Sequence, residues 1–144
     1  MTRRIKAYYR KENIDVRPML TTPEDVDQLI DTLLADPDGC SMAELHSLDR
    51  PLLPSGFPDH ELLVGADGNL KVGVLEFMDA TGNSVTLGNS EGRGEISYYI
   101  GNTATEFPAR SEVPVELVRQ AVKEFLTSGG QRPTCIEWQV PEIW

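Results

Sequence analysis

Histidine is nearly missing from this chain of 144 residues, which has only His46 and His60. Cysteine is equally scarce, with Cys40 and Cys135 far apart in sequence. No Cys-x-x-Cys or His-x-x-x-His spacing occurs, so no metal is expected. The His-x-Glu and Pro-Cys-x-x-Cys signature of a zinc deaminase is missing as well. A nucleophilic site needs a base within reach of a serine or cysteine. His60 follows Gly56-Phe57-Pro58-Asp59 and reads as an exposed loop residue, while His46 sits beside Leu45 on a candidate strand. Both read as structural, and no catalytic residue or cofactor is expected. The two thiols read as reduced in a cytoplasmic protein, with a disulfide left open. No apolar run approaches the roughly 18 residues of a membrane helix. The start, MTRRIKAYYRKENID, has basic residues without an apolar stretch behind them, so it does not read as a secretory signal.

Positive charge is also short. There are 13 basic and 23 acidic side chains, a net of −10. The first 17 residues carry a balance of +4, which leaves −14 for the rest. Such a body does not bind nucleic acid through its general surface, because phosphates demand positive charge. It suits a basic protein partner and steered association, or simply solubility.

What the chain does contain reads as one domain over residues 1–144. Lys6–Arg10 is strand-like. Thr22-Pro23 caps a helix whose apolar positions Val26, Leu29, Ile30, Leu33 and Leu34 share one face. Ser41–Leu48, Glu61–Val64 and Leu70–Met78 read as strands, the last two joined by Ala66-Asp67-Gly68-Asn69. Asp79–Asn83 makes the next turn, into Ser84–Leu87. Glu95–Ile100, reaching towards Phe107, continues the same antiparallel meander. Ser111-Glu112-Val113-Pro114 opens a second helix, with Leu117, Val118, Ala121, Val122, Phe125 and Leu126 as its stripe and Gly129-Gly130 as its end. Arg119, Gln120, Lys123 and Glu124 are expected to face out. A last strand runs through Thr134–Val140. The expected fold is α+β, an antiparallel β-meander with two helices packed on one face.

The stretch Gly88–Gly101, GNSEGRGEISYYIG, invites a phosphate-loop reading. Yet Gly92 is followed by Arg93-Gly94 and not by Lys-Ser/Thr, and a strand follows where a dinucleotide loop opens a helix. Glu91 and Glu95 would repel phosphate. The stretch is read as a loop joining two antiparallel strands, with positive φ at Gly92 or Gly94. Elsewhere, Asp49, Asp59, Glu76 and Asp79 are numerous enough to pair by chance, and a solvated face is the simpler account. Trp138, with Ile136 on its side of the last strand, reads as a core or half-buried structural residue.

Several features of the second half converge on one family: Glu106-Phe107-Pro108, Ser111-x-Val113-Pro114, the helix end Glu124-Phe125, Gly130-x-Arg132-Pro133 and Ile136-Glu137-Trp138. With the Gly88-Asn89 loop before a strand, they resemble the first-numbered immunity-protein family of bacterial polymorphic toxin systems, most clearly over residues 60–140. The resemblance implies a protein without turnover that neutralises a cognate toxin. It also implies that the toxin belongs to the nucleic-acid deaminase superfamily, and that the family's C-terminal tryptophan maps onto Trp138. An acidic inhibitor is suited to occupying the basic groove of such a toxin. The competing readings are an adaptor or oligomerisation module, and a small enzyme using a pair such as Glu76 and Asp79. The chain is expected to bind neither nucleic acid nor membrane directly, and to be a monomer or weak homodimer.

If both helices occupy one sheet face, the other face and its loops are free for the partner. The expected contact residues are Asp79, Asn83, Asn89, Ser90, Glu91, Glu95, Tyr98 and Tyr99, an aromatic anchor among steering charges.

Overall fold

The computed structural model describes residues 3–10, 18–35, 41–88, 95–100 and 103–140. Thr22 and Asp25 start the first helix, α1 (Pro23–Ala35), by a reciprocal cap. The Asp25 N–H donates to Thr22 Oγ1 at 3.1 Å, and Asp25 Oδ2 accepts from the N–H groups of Thr21 and Thr22 at 2.9 and 3.1 Å. The second helix, α2 (Val115–Thr127), ends where Gly129 and Gly130 take φ of 75° and 94°.

The strands are β1 (Ile5–Tyr8), β2 (Met19–Leu20), β3 (Met42–Ser47), β4 (Glu61–Asp67), β5 (Val72–Asp79), β6 (Gly82–Thr86), β7 (Ile96–Ile100), β8 (Thr103–Phe107), β9 (Val113–Pro114) and β10 (Trp138–Gln139). Eight of them form an antiparallel sheet in the order β10-β6-β5-β4-β3-β1-β2, with β9 pairing the start of β5. Turn chemistry sets the central registers. Asp67 Oδ1 accepts from the N–H groups of Asn69 and Leu70 in the β4–β5 turn, and Asp79 Oδ1 accepts from Thr81 N–H before Gly82. Register then follows as Leu62↔Phe77, Leu63↔Glu76 and Glu76↔Val85.

Alternation along these strands splits the side chains between two faces. Ile5, Ala7, Leu45, Leu62, Val64, Leu75 and Phe77 meet both helices in the main core, through Leu29, Ile30, Val118, Val122 and Phe125. Each fully buried aliphatic or aromatic side chain contributes about 1.5–3 kcal/mol. The expected architecture, a meander with two helices on one face, is what forms.

The meander ends at β6, however. β7 and β8 pair only with each other and do not extend the sheet. They lie across the helix-free face, where Tyr98 and Phe107 pack edge to face at 5.8 Å over Met42, Leu63, Val74 and Val85. The contact depends on Gly65, where a Cβ would stand 2.6 Å from the Tyr98 ring. β6 and β7 therefore lie in different layers, and not side by side in one meander as expected. Gly88 is buried and leaves no room for a side chain against the Glu112 carbonyl. Residues 89–94, including Gly92 and Gly94, lie outside the described residues, as does Cys40.

Of the expected outward helix positions Gln120 is exposed, while the other three are engaged by neighbouring elements. Arg119 bridges to α1, donating to Asp27 Oδ1 at 3.0 Å and Asp31 Oδ1 at 2.5 Å, and Lys123 Nζ lies 2.9 Å from Asp27. The Lys123 hydrogen bond, with that of Arg119, holds the Asp27 carboxyl below its usual range against the opposing effect of burial. Glu124 accepts from the N–H groups of Thr134 and Cys135 and so ties residues 134–135 to α2. Only Trp138 and Gln139 of the expected last strand pair, with β6. Trp138 is half-buried against the main core, and its Nε1–H donates to Pro133 O at 2.9 Å.

Candidate functional site

A groove of about 970 Å³ runs across the Ser47, Glu61 and Asp79 ends of β3, β4 and β5. The β7–β8 hairpin covers only the other end of this face. The floor is made by register. Glu44 and His46 are two apart on β3 and so share a face, and Glu61 comes from the neighbouring strand. His46 Nε2 lies 3.7 Å from Glu44 Oε1 and 3.9 Å from Glu61 Oε1. The three ligand-type atoms lie within 4.8 Å of one another, a set of donors a divalent cation could use although no sequence spacing announces it. Burial, then the adjacent Glu44 carboxylate, pushes Glu61 up to about 8. Behind it lies Glu76, 1% exposed, with Oε2 unpartnered and its carboxyl pushed up to about 7 by burial alone.

The end wall is an ion-pair hub. Arg50 Nε donates to Asp59 Oδ1 at 2.9 Å and Arg50 Nη1 to Gly130 O at 2.9 Å, while Nη2 lies 3.6 Å from Asp79 Oδ2. His60 is buried here, not exposed as its loop-like context suggested. The Ser47 N–H donates to His60 Nε2 at 2.8 Å, which leaves Nδ1–H to face Asp59 Oδ1 at 3.0 Å. Burial holds its pKa below the ordinary histidine value, against the raising effect of Asp59. Both ring nitrogens are occupied, and the serine offers its backbone N–H to the ring, not its hydroxyl. The arrangement fixes the ring in place and does not present Ser47 as an activated nucleophile.

The outer wall is the β3–β4 loop, Pro51–Pro58. Leu53 N–H donates to Phe57 O, Gly56 N–H donates to Leu53 O, both at 2.8 Å, and Leu52 bridges Pro58. Gly56 takes a φ of 89°, as this closed turn requires. The loop holds Leu52, Leu53 and Phe57 at 63%, 47% and 70% exposure.

Those of the expected contact residues that are described do not form one patch. Asp79 borders the groove, whereas half-buried Asn83 sits opposite the lining residue Met78 without lining the groove itself. Tyr99 is exposed, but its backbone bonds to Ser41 at the opposite end of β3. Glu95 is exposed beside the start of β7. Tyr98 is corrected: at 2% exposure its ring is core, and its hydroxyl donates to Glu112 Oε2 at 2.7 Å. Asn89, Ser90 and Glu91 lie outside the described residues. Glu76 and Asp79 do not make an acid–base pair, because three strand steps put them on opposite faces and Asp79 is engaged by Arg50. The apolar loop was missed, although its signal, Leu-Leu and Phe between prolines, stands in the sequence.

The family model of immunity protein Imm1 matches residues 16–140, most of the chain. The chain belongs to the Imm1 immunity-protein family. A solved structure, of a hypothetical protein from Neisseria gonorrhoeae, is similar over 94% of this chain and 92% of that one, at 10% identity and a TM-score of 0.48. No curated protein matches the sequence. Membership of Imm1 makes a toxin the partner to account for, and among the described residues no helix is long and apolar enough to cross a membrane.

Proposed function

We propose that this Imm1 protein binds a cognate nucleic-acid-directed toxin, of the deaminase type, inside the cytoplasm and blocks its active-site groove without any turnover of its own. The observation that carries the reading is the family match over residues 16–140 on a chain with a net charge of −10. A toxin that acts on nucleic acid needs a basic groove. An acidic protein competes for that groove directly, and opposite charge speeds the encounter. Of the contact residues expected from sequence, Asp79 remains in the proposed surface, because it lines the groove between β3–β5 and the β3–β4 loop, and Asn83 stands next to it opposite the lining residue Met78.

The test is co-expression with the C-terminal domain of the toxin encoded beside this chain's gene. Cells should survive, and deamination of nucleic acid by the purified toxin domain should fall to background at one equivalent of this protein. Unchanged killing, or protection against a toxin that leaves nucleic acid untouched, would overturn the reading.

A further inference from the structure

The β3–β4 loop is an unusual thing for an acidic, well-packed protein to display. Three large apolar side chains, Leu52, Leu53 and Phe57, project together beside an open groove. Single exposed apolar residues need no account, but a cluster on one rigid turn does. The turn is held at its tip by two backbone hydrogen bonds and at its base by the Arg50–Asp59 pair. It would lose little conformational freedom on docking, so the burial of these side chains is not offset by a large ordering cost.

The groove floor beside it carries a second unfinished feature. Glu44 and Glu61 stand next to each other with His46 between them, and among the described residues no lysine or arginine nitrogen comes within 4.0 Å of either carboxylate. Arg4 and Lys6 stand on the groove wall, and Arg50 is committed to Asp59, Asp79 and Gly130. With no cation against them, Glu44 and the raised Glu61 carboxyl hydrogen-bond as a pair that holds a proton between them, and an approaching lysine or arginine would take the place of that proton.

Resting on the toxin-binding reading above, we infer that the toxin docks on this end of the sheet: Leu52, Leu53 and Phe57 insert into an apolar recess of the toxin, and a toxin lysine or arginine seats between Glu44 and Glu61. Apolar anchors beside a desolvated charge pair are the composition that concentrates binding energy. A second copy of this chain is the poorer occupant, since it brings a net charge of −10 and the same acidic floor.

Four variants test it against the same toxin domain, by kinetics and by melting temperature. L52S/F57S should weaken binding by about 30-fold or more, mostly through faster dissociation, with the melting temperature unchanged. E44Q/E61Q keeps the shapes and should weaken binding about tenfold and flatten its salt dependence. Tyr99→Ser and Glu95→Lys, away from the groove, should bind like the wild type. Wild-type affinity in both groove variants would overturn the proposal, as would loss of binding confined to Tyr99→Ser or Glu95→Lys. A wild-type dimer that L52S/F57S dissolves without changing toxin affinity would assign the loop to self-association and overturn it too. If the wild type itself does not bind the toxin, the functional reading fails first and this docking surface falls with it.

Discussion

The two ends of the helix-free sheet face are built by the same strands and could hardly differ more. At one end Met42, Leu63 and Val74 are buried under Tyr98 and Phe107 of the hairpin. At the other, Glu44, His46 and Glu61 line an open groove. Two steps along β3, from Met42 to Glu44, separate a side chain in a dry core from one in a wet groove. Coverage decides this, not strand identity: a sheet face stays apolar only as far as something lies on it. Glu76 marks the border. It is buried like the apolar end and carries a carboxyl group like the open one, and its Oε2 has no hydrogen-bond partner.

The comparison breaks most easily at Phe107. Phe107→Ala should empty the space beneath the hairpin and cost about 3–5 kcal/mol, read by urea denaturation. A loss below about 1 kcal/mol would mean that the hairpin is an ornament and the two ends are energetically alike. Next comes Gly65→Ala, which pushes a methyl group into the Tyr98 ring and should cost about 2 kcal/mol by overpacking. A neutral outcome would show that the hairpin can lift without penalty.

The last effect sharpens the border. Glu76 has a folded pKa of about 7, above its ordinary 4.5, so the folded protein holds that proton more tightly than the unfolded chain. Its stabilising contribution is full below about 4.5 and is lost as the pH rises through about 7; Glu61 acts in the same direction up to about 8. His60, held below its ordinary value, works the other way, losing stability as the pH falls below about 6.5. Comparison of Glu76→Gln with wild type cancels the His60 part. The variant should gain about 2 kcal/mol relative to wild type between pH 5 and pH 8. A difference that does not change with pH would show Glu76 ionised at both, and so not enclosed by the hairpin's edge.

Much of the fold was legible because it is local. The 3.6-residue stripes of α1 and α2, the Thr22–Asp25 cap, the Gly129-Gly130 stop and the aspartate-bearing turns of β4–β5–β6 each lie within a few residues of the element they shape. Half-burial of Trp138 was legible for the same reason, from Ile136 and the helix beside it. The candidate site was far less so. Of the expected contact residues that are described, only Asp79 lines the groove. Tyr98 was misplaced because period-two alternation says that Ile96, Tyr98 and Ile100 share an apolar side, and this holds equally for a strand added to a sheet edge and for one laid across its face.

The sequence alone determined the helices, the turns, the family and the charge, since these depend on residue type at short spacing and on sums over the chain. Only the tertiary structure decided that His60 is buried between Asp59 and Ser47, that Glu44, His46 and Glu61 converge, and that Leu52, Leu53 and Phe57 stay outside. Each of those outcomes depends on strand register and layer stacking, which bring together residues 13 to 17 positions apart on neighbouring strands and leave one loop uncovered. Period and composition carry no information about which layer comes to rest on which.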